Sequence, residues 1–204
     1  MKRILIACEY SGVVRDAFTA IGWDAWSCDI LPSDTPGQHI QDDVLKYLDY
    51  GWDMMIAHPP CTYLTVTGNK WFKPEFKDRF PTREQDRKEA IDFFLQIANA
   101  NIDKICIENP VGVMSTVWKK PTQYIQPYFF GHKESKKTGL WLKNLPPLAP
   151  TDIVEPEYVI CQGKKYSPTH YAAAGKNSLE RSSIRSKTYQ GIADAMAAQW
   201  GIEL

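Results

Sequence analysis

The sequence lacks several things, and each absence narrows its reading. No apolar run approaches the roughly 20 residues that span a bilayer, so no membrane-crossing helix is expected. The N-terminal run Met1-Lys2-Arg3-Ile4-Leu5-Ile6-Ala7 begins basic and turns apolar, but Cys8-Glu9-Tyr10 interrupts it before a signal-peptide core is complete. Cysteine is sparse and unpaired: Cys8, Cys28, Cys61, Cys106 and Cys161 are odd in number, without a Cys-x-x-Cys spacing. That argues against a disulfide framework and a structural metal site, and points to a reduced, cytoplasmic protein. An excess of one charge is also missing, since Lys plus Arg and Asp plus Glu both number 24. Phosphate neutralisation supplies much of the affinity of duplex-DNA binders, so any basic surface here has to be local. There is no internal repeat and no low-complexity tract.

What is present suits one domain. The 204 residues are 44% hydrophobic and 24% charged, the composition of an ordinary globular protein with a real core. Residues 3–8 read as a buried strand running into a small-residue turn at Ser11-Gly12, followed by a helix over 13–21 that Gly22 stops. Strands are expected at 24–30, at His39-Ile40, at 54–57 and at 104–107, with a short helix over 43–48. Thr82 is a candidate N-cap for a helix to about residue 100, with Ala90, Ile91, Phe94, Leu95 and Ile97 at helical spacing. The last quarter reads as a strand over 139–142, a loop over 166–185 and a final helix over 189–200. Strands alternating with helices predict an α/β fold with a mostly parallel sheet flanked by helices. Ligands of such sheets sit outside the carboxyl ends of the strands.

Several of those ends carry chemistry: Cys8-Glu9, Asp29, His58-Pro59-Pro60-Cys61 and Glu108-Asn109-Pro110. Paired prolines stiffen the turn that presents Cys61. A thiol there is a strong nucleophile if a nearby cation or helix N-terminus lowers its pKa. The alternative is a buried structural cysteine, which is the commoner fate of a free thiol. Glu108, taken alone, is either a buried proton-handling carboxyl or a solvated strand-end acid.

Taken together and in order, these segments resemble the DNA cytosine-5 methyltransferase family, especially its short stand-alone forms in phages and prophages. Residues 5–18 (LIACEYSGVVRDAF) are similar to its glycine-rich first motif, and Cys28-Asp29-Ile30 to the acidic end of its second strand. Asp43 resembles a third-motif aspartate, Ala57-His58-Pro59-Pro60-Cys61 the Pro-Cys nucleophile motif, and Ile107-Glu108-Asn109-Pro110 the Glu-Asn-Val motif. The resemblance covers roughly the first 110 residues. It implies a class I, Rossmann-like S-adenosylmethionine-dependent methyltransferase fold. It also implies that Cys61 adds to cytosine C6 while Glu108 supports N3, with Pro60 and Asn109 completing the catalytic turn. The cofactor would lie along Glu9, Tyr10, Ser11, Gly12, Asp29, Ile30, Asp43 and Pro59, with Glu9 accepting from its ammonium and Asp29 from its ribose. No metal is implied.

The chain departs from that pattern at three places. Glu9 and Ser11 stand where the family has glycines. The segment 62–83 interleaves Lys70, Trp71, Phe72, Lys73, Lys77 and Arg79; the resemblance implies a loop that closes over the substrate and helps hold an extruded base, and the alternative is a solvated surface loop with one packed Trp. Lys136 and Lys137 occupy the place of an arginine motif, and Arg185 belongs to a second basic patch. Residues 151–187 are expected to form a reduced, irregular insertion, too short for a separate recognition domain. The expected partners are therefore single- or double-stranded DNA or a free cytosine nucleotide, with room for a recognition protein. The same cysteine addition with another one-carbon donor, and a non-catalytic nucleic-acid- or protein-binding member of the fold, stay open.

Overall fold

Strand β1 (Arg3–Ala7) is apolar throughout because both its faces are covered. Ile4 and Ile6 pack on one side with α1 (Val13–Ala20) and α6 (Gln190–Trp200), meeting Val14, Phe18, Met196 and Trp200. Leu5 and Ala7 face the other way, towards Phe94 and Ile97 of α2 (Arg83–Ala98). That split is the two-residue period of a strand buried on both faces. The protein was analysed as a computed structural model in which residues 1–202 are described, so the last two residues of the expected 1–204 domain lie outside them.

The main sheet adds β2 (Asp24–Asp29), β3 (His39–Gln41), β4 (Met54–Ala57), β5 (Lys104–Pro110), β6 (Gln123–Ile125) and β7 (Thr138–Lys143). Their order is β3-β2-β1-β4-β5-β7-β6. The first five strands in that order are mutually parallel, and β7 runs antiparallel to both β5 and β6. The fold is thus the Rossmann-like α/β architecture expected from the sequence. Strand order reverses between β1 and β4, and the crevice above that reversal is the place where such sheets bind ligands. β5 outlasts β4: Ala57 pairs with Ile107, while Glu108, Asn109 and Pro110 continue against β7. The flank of β5 that β4 leaves open receives the turn carrying Cys61.

Three expectations are corrected. Thr82 precedes α2, but its hydroxyl bonds the Asp86 carboxylate and caps no backbone amide. The segment 62–83 is folded into 3₁₀ turns at Val66–Phe72 and Pro74–Phe76. Residues 166–185 are not a loop: α4 (Pro168–Ala172) and α5 (Ser178–Ser186) occupy them, after a hairpin of β8 (Val159–Cys161) and β9 (Lys164–Tyr166). The start signal of α5 stands in the sequence as Asn177 and Glu180, whose side chains bond each other's backbone amides as a capping box. Polar composition hides it, because α5 lies on the surface and needs no apolar stripe.

Candidate active site at the carboxyl edge of the sheet

At the end of β1 the chain turns sharply, with Cys8 at φ 58° and Gly12 at φ 77°. A side chain at Gly12 would meet Thr35 Oγ1 and the Arg15 guanidinium, so this position needs glycine for space as well as for backbone conformation. Glu9 is 4% exposed. Its Oε1 accepts from Val14 N at 2.8 Å and Ser11 Oγ at 3.3 Å, and its Oε2 accepts from Arg15 N at 3.2 Å. The carboxylate therefore occupies the anion position at the N-terminus of α1. Two hydrogen bonds thus tie Glu9 to its own helix, and a third comes from Ser11, which is turned onto it. The neighbouring strand ends stay more open. Asp29 is half-buried, accepts from Leu31 N at 2.9 Å, and burial pushes its carboxyl up. Asp43 accepts from Leu45 N at 3.0 Å and is exposed, and Ile30 is 74% exposed.

The β4 and β5 ends are bound to each other. Asn109, 1% exposed, donates from Nδ2 to the Pro59 carbonyl at 2.8 Å. One buried amide thereby fixes the Pro-Pro turn against β5, which makes Asn109 a positioning group. His58 Nδ1 lies 3.2 Å from Glu108 Oε2, with side-chain exposures of 8% and 20%. Burial raises the Glu108 carboxyl, but the His58 hydrogen bond and the Lys136 ammonium outweigh it and carry the group below its ordinary range. Cys61 is partly buried beside this pair. Burial, then the Glu108 charge, push its thiol up, and the opposing cations Lys136 and Arg185 do not overcome them. Cys61 rests as a thiol.

The segment after α5 closes the site from above. Ser186 and Thr188 line two neighbouring clefts. One runs along Cys8, Glu9, Tyr10 and His58; the other holds Glu108, Lys136, Thr138 and Tyr189. Tyr10 Oη is 3.0 Å from Ser186 Oγ, and Lys187 Nζ forms a 2.7 Å ion pair with Asp34, tying the segment down on the first cleft. The insertion over 151–187 thus supplies a cover.

The basic residues singled out in the sequence divide. Lys136 is in the site, donating to the Arg185 carbonyl at 3.1 Å and facing Glu108. Arg185 acts electrostatically on Cys61. Lys137 turns away, its Nζ lying 4.3 Å from the centroid of the exposed Tyr124 ring. Trp71 stacks edge-on against Phe76 and Phe80 with Lys70 over its ring, so the aromatic of segment 62–83 is the centre of the loop's own cluster. Two residues escaped sequence reading. Arg15 is 1% exposed and bonds Ser27, Ser33, Thr35 and the Pro36 carbonyl, holding the turn after β2. His58 was legible only as part of a motif, because its pairing with Glu108 spans 50 residues of sequence.

No known family's sequence model matches the chain, and no curated protein matches it in sequence. Among solved structures, a chain described as a "putative DNA modification methyltransferase encoded within prophage", from E. coli, is similar with a TM-score of 0.46 and 14% identity. The match covers 76% of this chain and 52% of that one, so this chain spans about half its length.

Proposed function

We propose that this protein is a methyltransferase that modifies C5 of cytosine in DNA through transient addition of Cys61 to C6. The observation carrying this reading is the convergence of Cys61 and Glu108 at the ends of adjacent parallel strands, with Asn109 locking the turn between them. A thiol beside a carboxylate, under a lysine, is the equipment needed to add a soft nucleophile across an aromatic double bond. Glu108, held ionised, takes the thiol proton as sulfur bonds to C6 and delivers it to N3. That leaves C5 electron-rich. S-adenosylmethionine, when bound, supplies the electrophilic methyl group. The crevice along Cys8, Tyr10 and His58 is where such a molecule would lie, and Asp29 and Asp43 at the neighbouring strand ends would accept from its hydroxyl and amino donors. Lys136 and Arg185 provide positive potential on the substrate side, where a phosphate would be attracted.

The test is covalent trapping. An oligonucleotide containing 5-fluorocytosine, incubated with the protein and S-adenosylmethionine, is expected to give a protein–DNA adduct by intact mass that is lost in Cys61→Ala. No adduct with the unsubstituted protein overturns the reading. The same chemistry on a free cytosine nucleotide is the second reading, favoured by the zero net charge and by the cover over the clefts. An adduct formed with 5-fluorocytidine nucleotide and not with the oligonucleotide would select it. A folded protein that traps neither and binds no cofactor by calorimetry would instead be a non-catalytic binder.

A further inference from the structure

His58 is the buried titratable group for which the addition chemistry leaves no task. Its side chain is 8% exposed, and its Nε2 has no hydrogen-bond partner among the described residues. A buried ring nitrogen without a partner is destabilising, so its retention asks for an explanation. The other nitrogen is engaged. Nδ1 sits 3.2 Å from Glu108 Oε2, and Glu108 is held ionised, so Nδ1 carries the proton and donates it. In the neutral ring Nε2 is then a bare lone pair. His58 lines the cleft that also holds Cys8, Glu9 and Tyr10, while its partner Glu108 lines the second cleft with Lys136. The pair therefore bridges the wall between the two clefts, where a methyl donor on one side has to meet a ring carbon on the other.

We infer that His58 is a further catalytic residue, the base that removes the proton from C5 after methylation. The inference rests on the cytosine-5 reading. The C5–H bond breaks with its proton passing to Nε2, the electron pair closes the C5=C6 double bond, the C6–Sγ bond breaks to return sulfur as thiolate, and the N3 proton goes back through Glu108 to that sulfur. The imidazolium so formed is stabilised by the Glu108 carboxylate at Nδ1, the arrangement by which a carboxylate orients and supports a histidine base. Glu108 then serves both halves of the reaction, handling the N3 proton and holding the base. The Pro59-Pro60 turn, pinned through Asn109, fixes His58 and Cys61 in one rigid unit three residues apart.

Two probes separate this step from the addition that precedes it. An oligonucleotide with 5-fluorocytosine reports addition and methyl transfer but not proton loss, because fluorine leaves no C5 proton to remove. An oligonucleotide with tritium at cytosine C5 reports proton loss. In His58→Gln the adduct is still expected to form, while tritium release falls about 100-fold or more. In His58→Ala, added imidazole is expected to restore part of the release, which a merely structural role would not allow. Release within about threefold of the unsubstituted protein in both variants overturns the inference. So does a folded His58→Gln protein that forms no adduct, since His58 would then act at addition. If His58→Gln is unfolded by circular dichroism, His58→Asn takes its place with the same outcomes. Failure of the unsubstituted protein itself to form adduct or release tritium sinks the cytosine-5 reading, and this inference with it.

Discussion

Two glutamates stand at the same topological station and lead different chemical lives. Glu9 follows β1, Glu108 stands in β5 just past its last pair with β4, and both carboxylates lie largely out of water at the carboxyl edge of one sheet. Glu9 faces the N-terminus of its own helix, whose amides and the Ser11 hydroxyl engage both its oxygens. Glu108 has no helix N-terminus in front of it. It meets a histidine and a lysine side chain, groups that can gain, lose or redirect protons. Position at a strand end therefore makes a carboxylate available for chemistry only where the following backbone does not claim it.

The sharpest test of that contrast is Glu108→Gln, which keeps shape but removes the charge. Turnover of a cytosine-containing oligonucleotide is expected to fall about 10²–10⁴-fold, with S-adenosylmethionine affinity by calorimetry nearly unchanged. A large affinity loss would place Glu108 in the cofactor site and erase the distinction. Glu9→Ala should act the other way. Removing the cap of buried amides is expected to cost about 1–3 kcal/mol in urea unfolding. Cofactor affinity should change little once folded protein is compared. If stability is intact and affinity collapses, Glu9 is a ligand group after all.

Asn109→Ala gives a comparable expectation from a different bond. It leaves the Pro59 carbonyl without its partner, for about 1–3 kcal/mol in urea, and loosens the turn, so adduct formation should slow along with it. The smallest effects concern charge. Burial and Glu108 favour the neutral Cys61 thiol, so its alkylation by iodoacetamide, followed by peptide mass mapping, should accelerate only above the ordinary cysteine range as pH rises. Lys136→Ala removes a charge that favours thiolate and should move that rise to still higher pH. Lys137→Ala should leave it in place, since Lys137 sits on Tyr124. Equal effects would undo the assignment of the two lysines.

Much of the fold was legible because strand positions followed from local pattern. The runs Ile4-Leu5-Ile6 and Met54-Met55-Ile56 are apolar on both faces, a signature that depends only on neighbours in sequence and implies a covered parallel sheet. Thr82, by contrast, looked like a cap and is not one, because a capping hydroxyl is decided by a rotamer that Asp86 captures. The surface helix α5 was missed since its evidence is one capping box inside a polar stretch. β6 was missed too, being three residues long and held by pairing with β7.

Glu9 and Glu108 divide along the same line. That both would stand at strand ends beside a turn was set by the sequence, through hydrophobic runs that stop at them and glycines or prolines that follow. Which carboxylate would be spent on structure was not readable there. Glu9 is claimed by amides five and six residues ahead, in a geometry created only when Gly12 takes its left-handed conformation. Glu108 is paired with His58 across 50 residues, a meeting that exists only because β4 and β5 lie side by side. Residue type and order are local properties of a chain, whereas the partner of a charge is a property of the packed fold.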